Sequence, residues 1–535
     1  MTTAATKVPG PTGLPPSPAN RPGYGGAHRW LILAVVALAQ LMVVLDATIV
    51  NIALPSAQDA LHFSNIERQW VVTAYALAFG SLLLLGGRLA DIIGRKATFI
   101  VGLAGFAAAS AVGGAAGSFG MLVAARACQG AFGALLAPAA LSLLTTTFEG
   151  SKDRGKAFGV FGAIAGAGGA VGLLLGGLLT EFLTWRWCLY VNLVFAAIAI
   201  AGALALLGRQ QAAVRPRLDL PGLLTEAAGM FCIVYGFSNA ASDGWHSPST
   251  WGYLAAGVAG LATFAVIETK ARQPLLPLRI VLDRNRAAAY LSILLAGAGL
   301  FGIFLFLTYY LQETLGFSPV TTGIAFLPMV AVIVVSSNLA NIVLLPRVGP
   351  RFLVAPGMLA AAAGMVWLTR IGIHSSYAGD VLPPLLLAAA GIGFVVSPSM
   401  NTGTAGVAPD DAGVASAVVN TGQQVGGSIG TSLLNTMAAS AAAAYLTSHL
   451  AAHLTRGLAA AGRPPAALVA LAQVHSYTTA FWWAAGMFAV GSVLAALLFR
   501  RGAPVVGTPV AGTPVAGTPM AGTTPSQARE AEVAR

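Results

Sequence analysis

Apolar residues in this chain gather into runs of about twenty, separated by short polar bursts. At ~1.5 Å per residue, one such run crosses the roughly 30 Å hydrocarbon core of a bilayer as a helix. Fourteen runs can be placed. The first seven lie at 30–54, 67–87, 97–117, 120–145, 156–180, 187–208 and 221–240. The rest lie at 251–268, 287–312, 320–344, 352–369, 381–402, 413–437 and 477–499. Two charges stand deep inside the first and fourth runs. Asp46 stands inside "LMVVLDATIVNIALP", and Arg126 opens "RACQGAFGA" within the fourth run. A charged side chain near the bilayer centre costs on the order of 3 kcal/mol, so both call for a reason.

Composition sharpens this picture. The 535 residues are 56% hydrophobic and only 9% charged, whereas soluble domains carry about a quarter charged residues. There is too little polar surface to cover a water-soluble body. Leu, Ala, Val and Gly runs with few aromatics favour helices over a barrel, so the fold class is all-α polytopic membrane protein. The net charge of +11 could suggest nucleic acid, but the bases sit in the short loops. With the N-terminus inside, 23 Lys and Arg fall on the inner side and 5 on the outer, Arg126 being left in its helix. That asymmetry predicts an even number of spans with both termini cytoplasmic, and no nucleic-acid partner. Residues 1–29 lack the layout of a cleaved signal peptide and read as a disordered cytoplasmic arm. Cys128, Cys188 and Cys232 have no metal-type spacing. Residues 438–476 read as a long outer loop whose Ala-rich part can form an interfacial helix. Residues 500–535, with a V/M-A-G-T-P repeat, read as a disordered tail.

The pattern repeats at larger scale. "LADIIGRK" (89–96) after the second run is echoed by "LLPRVGPR" (344–351) after the tenth, Gly94 matching Gly349 and Lys96 matching Arg351. The glycine-dense fifth run is echoed in the thirteenth by "NTGQQVGGSIGT". Two six-helix halves are expected, at 30–208 and 287–499, joined by two linker helices within 209–286. Secondary transporters are often built from such repeats, which rock about a midplane site.

"GGRLADIIGRK" places Gly87, Asp91, Gly94, Arg95 and Lys96 in a tight inner loop, where acid and bases can bridge helix ends and part when the halves move. Its spelling resembles the signature loop of the major facilitator superfamily. "LDATIVNIALP", "WVVTAYALAFG", "RACQGAFGA", "TWRWCLYVN" and "YLQETLGFSPVTTGIAFLP", in that order over roughly residues 30–437, resemble its fourteen-helix drug:proton antiporter branch. The branch's fifth-helix antiporter motif is met by Gly159, Gly168, Gly172, Gly176 and Gly177, with Leu173 in place of its proline. Close helix packing through the glycines is retained, and the proline kink is lost.

Depth relates the two intramembrane charges. Asp46 lies nine residues before Pro55, roughly 13 Å below the outer end of its helix at ~1.5 Å per residue. Arg126 lies roughly 10 Å below the same face. The resemblance implies that their helices line one central cavity. A carboxylate held out of water favours its protonated form, and a nearby Arg⁺ or cationic substrate favours the charged form. Asp46 and Arg126 are therefore the expected proton-coupling residues. Tyr75, Gln129, Asn192, Tyr309, Gln312, Glu313, Asn338 and Gln423 are the expected cavity residues, with Glu226 near the start of the seventh run a weaker candidate.

The resemblance implies a secondary transporter of the bacterial plasma membrane. It would export drugs, antibiotics or other lipophilic or cationic small molecules against a proton gradient by alternating access, as a monomer and with no cofactor or metal. A nutrient or metabolite carrier of the same superfamily is the alternative. No H-E-x-x-H, G-x-S-x-G or G-x-x-x-x-G-K-[ST] motif is present to support an enzyme or an ATP-driven pump.

Overall fold

The computed structural model describes residues 26–65, 67–148, 153–208, 219–271, 274–407, 412–455 and 466–500. The arm before residue 26, the connection at 209–218 and the repeat tail after residue 500 lie outside them, as does the side chain of Asp91.

Regular structure among the described residues is entirely helical. The first group is α1 (Gly26–Leu61), α2 (Gln69–Ile93), α3 (Arg95–Gly114), α4 (Phe119–Thr147), α5 (Arg154–Phe182) and α6 (Trp187–Leu206). Next come α7 (Leu220–Asp243) and α8 (Pro248–Lys270). The last group is α9 (Arg284–Tyr309), α10 (Pro319–Asn338), α11 (Arg351–Leu368), α12 (Leu382–Thr404), α13 (Ala412–Thr455) and α14 (Ala466–Leu498). A π-helical turn, Tyr310–Thr314, prolongs α9. Several starts carry a local cause. Ser118, Asp219, Asp283 and Ser318 each accept a backbone N–H of the first helical turn, and Pro221 and Pro319 sit where a missing N–H costs nothing.

Eleven helices among the described residues are long and apolar enough to cross a bilayer, and α2 and α5 carry shorter apolar stretches, Gln69–Leu83 and Gly168–Phe182. Within the expected outer segment 438–476 the Ala-rich part is helical, as a continuation of α13 rather than as a helix of its own. α13 runs on to Thr455 and α14 begins at Ala466, which leaves only positions outside the described residues between them. The reason is local: "ASAAAAYLTSHLAAHLT" loses hydropathy but holds no helix breaker, and Ala is the strongest helix former. Tyr445 on α13 also stacks on His449 and meets His475 of α14 at 5.0 Å between ring centroids.

Pairings within the first six helices recur in the last six. α2 packs on α4, α3 on α4 and on α6, and α1 on α5 and on α6. Likewise α10 packs on α12, α11 on α12 and on α14, and α9 on α13 and on α14. The two groups meet along two matching seams, α2 against α13 and α5 against α10. Gly94 closes α2, and Gly349 closes the short helical turn Leu345–Val348 that leads into α11, with φ of 100° and 77°, a left-handed backbone that glycine adopts without strain. α7 and α8 form a pair in which Gly229, Gly236 and Gly257 permit close approach. α7 lies against α2 and α13, across one seam.

Candidate functional site

Asp46 sits near the middle of α1 with no exposed surface. Its Oδ2 accepts from Arg126 Nη1 of α4 at 2.5 Å. Its Oδ1 accepts from Gln129 Nε2 of α4 at 2.9 Å and from Asn192 Nδ2 of α6 at 2.7 Å. Arg126 also donates from Nη1 to Gln129 Oε1 at 2.8 Å and from Nε to the Val71 carbonyl of α2 at 3.1 Å. Ser110 of α3 accepts from the amides of Gln129 and Asn192, at 2.7 and 3.3 Å. The Arg126 guanidinium lies 4.5 Å from the Tyr75 ring centroid. A buried ion pair survives only with this kind of surround: Asp46 has three donors and Arg126 three acceptors, so neither charge is left bare.

The similar depths expected for Asp46 and Arg126 thus become direct contact. Every partner comes from α1, α2, α3, α4 and α6, so the carboxylate points into the first six-helix group rather than toward the second. Ser110 and the Val71 carbonyl are the members that sequence reasoning missed. Ser110 is a small polar residue in the Ala/Gly-rich run "GFAAASAVGG", and a backbone carbonyl leaves no mark in a sequence. A narrow apolar pocket joins Arg126 to Val50, Ala53 and Ala57, toward the end where α1 connects to α2.

The glycines of α5 attach this cluster to the rest of the molecule. A Cβ on Gly172 would overlap Thr48 Oγ1, and one on Gly176 would lie 2.9 Å from the Ile49 carbonyl. Gly168 faces Val44. The α1 residues on this face therefore flank Asp46. Gly177 turns the other way, where a Cβ would lie 2.7 Å from the Pro319 carbonyl of α10. Leu173, buried in the motif's proline position, presents its carbonyl to Gly323 of α10. Gly159 lies on α5, nearer its start.

The expected inner loop narrows to Gly94 between α2 and α3, and Lys96, in the first turn of α3, donates from Nζ to the Leu204 and Leu207 carbonyls at the end of α6, a favourable place for a cation. Arg88, which precedes the loop's charges, donates to the Pro274 carbonyl at 2.7 Å, tying α2 to the chain after α8. Gly87 has room beside Pro138, Gly94 makes the turn and Arg95 begins α3.

Tyr309, Gln312 and Glu313 lie elsewhere, where the two groups close over each other at the α1–α2 end. Arg68 is 4% exposed and packs on the Tyr309 ring, 4.1 Å from its centroid, and near Phe306. Tyr309 Oη donates to Gln58 Oε1 at 2.6 Å, and Gln312 Nε2 to the Ile52 carbonyl at 3.2 Å. Glu181, at the end of α5, accepts from Val320 N of α10 at 2.9 Å. Glu313 accepts from Tyr477 Oη at 3.1 Å. Arg68 had only counted as an outer-loop charge, yet it is central to this closure. Asn338 is exposed and returns its amide to the Val334 carbonyl, and Gln423 is half-buried with its backbone against Gly297. The eight expected cavity residues therefore do not share one cavity. Glu226 does not face solvent: it is 3% exposed, and its Oε2 is enclosed without a hydrogen-bond partner.

Residues 36–431 match the family model described as Major Facilitator Superfamily. The chain belongs to the major facilitator superfamily. It is 51% identical over 473 residues to the puromycin resistance protein pur8 of Streptomyces alboniger, covering 88% of this chain and 91% of that one. It is 40% identical to the cephamycin export protein CmcT of Amycolatopsis lactamdurans, covering 74% and 82% of the two chains. With the tetracenomycin C resistance and export protein of Streptomyces glaucescens it shares 36% identity, covering 78% and 77%. Among solved structures, a bacterial homologue of the human lysosomal transporter Spinster, inward-facing and occupied, superposes with a TM-score of 0.60 at 16% identity over 89% of this chain and 98% of that one. An auto-inhibited peptide transporter of the POT family gives 0.61 at 15% identity, over 90% and 98%. These two share the fold. This superfamily member is a multi-pass carrier of the bacterial plasma membrane, not an enzyme.

Proposed function

We propose that this chain is a proton-driven exporter of lipophilic antibiotics, puromycin among them, and that it works by alternating access. In this reading fourteen helices cross the plasma membrane, both termini are cytoplasmic, and the α1–α2 end faces outward. The buried Asp46–Arg126 pair carries the proposal, in a chain half identical to a puromycin resistance protein. The basic inner loops support the orientation. Asp46 handles the proton and does not touch the substrate, because its contacts are all internal to the first half. In this reading the proton reaches Asp46 from the outer side. Protonated, Asp46 no longer attracts the guanidinium, and α1 is freed from α4. α1 is keyed into α5 through Gly172 and Gly176, and α5 into α10 through Gly177, so a shift of α1 reaches the seam between the halves. Loss of the proton to the inner side restores the pair and returns the carrier.

Asp46→Asn holds the site in a neutral, hydrogen-bonding form. Puromycin export by inverted membrane vesicles energised with a proton gradient is expected to be abolished, with the protein still present in the membrane. Export at the unaltered rate would sink the proposal. An uncoupler should stop wild-type export while ATP depletion alone should not.

A further inference from the structure

α11 and α14 pack side by side in the second six-helix group and run antiparallel. Toward their inner ends they seal. Gly491 of α14 lies against Met358 of α11, and Ser492 Oγ donates to the Ala355 carbonyl at 2.8 Å. Counting along both helices from those contacts sets Ala362 level with Ala485 and Ala363 level with Gly486. Small residues thus face each other where large ones would close the gap, and an apolar groove of about 630 Å³ remains. Ala362 and Ala485 are buried at its floor, and the exposed Leu359, Trp367 and Trp482 stand along its sides. A Cβ on Gly486 would meet nothing within 4 Å, so no neighbour fills the space.

The groove has a set depth and one charged end. From Leu359 to the end of α11 at Leu368 the helix rises roughly 13 Å at ~1.5 Å per residue, about one leaflet of a ~30 Å hydrocarbon core. Arg370, just past that end, also lines the groove. It is exposed, and no acid among the described residues pairs with it. Trp367 and Trp482 flank the same end, and indoles favour the headgroup level of a bilayer. Tyr310 Oη donates to the Gly372 carbonyl at 2.7 Å, which places this end beside the α1–α2 closure, the outer side in the orientation proposed above. A guanidinium fork matches a phosphate, and its charge favours a phosphate that carries no ammonium of its own. A second copy of this chain, docked here about a two-fold axis, would bring cation against cation at the rim. We propose that the α11–α14 groove binds one acyl chain of an anionic phospholipid of the outer leaflet, with the headgroup phosphate on Arg370. The site does not depend on the exporter reading; only the choice of leaflet follows from the same orientation.

The purified full-length carrier in detergent, titrated with dioleoyl phosphatidylglycerol or dioleoyl phosphatidylcholine, tests this by native mass spectrometry and by thermal midpoint. The wild type is expected to hold one phosphatidylglycerol on the order of tenfold more tightly than phosphatidylcholine, the worth of one charge-assisted bond, and to gain midpoint as it binds. Arg370→Gln should erase that preference and leave binding at the phosphatidylcholine level. Gly486→Leu sends a side chain into the open groove, so it should lose both lipids while its lipid-free midpoint stays at the wild-type value. Wild-type phosphatidylglycerol retention by Gly486→Leu overturns the groove as the site. Equal retention of the two lipids by the wild type, or an undiminished preference in Arg370→Gln, overturns the anionic headgroup, and the second result decides even if Gly486→Leu proves unstable. A wild-type dimer that Gly486→Leu splits assigns the groove to a second copy and overturns the proposal as well.

Discussion

Arg126 reaches in two directions at once, and that geometry decides what can replace it. Nη1 serves Asp46 and Gln129, and Nε serves the Val71 carbonyl of a third helix. Lysine keeps the charge but has one nitrogen on a flexible stem, so it can meet Asp46 or Val71 and not both. Arg126→Lys is expected to slow puromycin export on the order of tenfold, the worth of one well-made charge-assisted hydrogen bond, and Arg126→Gln to abolish it. Rates from energised vesicles check both, and a fully active lysine variant would reduce Arg126 to a charge alone. Asp46 and Arg126 were legible in the sequence because a charge inside an apolar run is conspicuous and helix rise fixes depth. Ser110 and Asn192 were harder to place: a neutral polar residue inside the membrane costs little, and nothing local says which neighbour it meets.

Among the helices, α5 is the one whose surface is cut to fit two partners. Gly168, Gly172 and Gly176 seat α1, and Gly177 seats α10. Gly172→Ala is expected to lose most export, because its methyl enters the space of Thr48 Oγ1. Gly169→Ala should be nearly neutral, as a Cβ there first meets an atom at 3.9 Å. Thr48→Ala should restore part of the Gly172→Ala loss by removing the overlapped atom, leaving the Leu45 carbonyl at 3.0 Å as the residual obstacle. Export measured for Gly172→Ala, Gly169→Ala and the Thr48→Ala, Gly172→Ala double variant decides this, and equal activity of the two glycine variants would show that α1 and α5 do not depend on close packing. The glycine spacing was readable as a close-packing face. Which helix it met was not, because a stripe of missing side chains carries no identity for its partner. Helix ends failed for a different reason. Hydropathy marks where a helix leaves the membrane, and α13 continues past that point on the propensity of its alanines.

The molecule as a whole closes on one side through contacts made between its repeats. The repeat itself was visible in paired loop motifs, and its internal pairings follow from it. The closure was not visible, since Arg68 and Tyr309 are 241 residues apart and neither belongs to a motif that names the other. Arg68 nonetheless sits desolvated on the Tyr309 ring, while Tyr309 binds Gln58 of α1. A cation–π contact shielded from water contributes about 2 kcal/mol, so removing it should change the ratio of closed to open carrier by at least about tenfold. Arg68→Ala is therefore expected to populate a form open at the α1–α2 end. Spin labels at Thr184, beside the end of α5, and Thr321, in the first turn of α10, would report it, since both positions are exposed and lie on opposite halves. The labelled wild type should give one short distance, and Arg68→Ala a second, longer population. Tyr309→Phe, which keeps the ring and loses only the bond to Gln58, should give a smaller shift in the same direction. If Arg68→Ala leaves the distance distribution unchanged, the closure does not depend on the Arg68–Tyr309 contact.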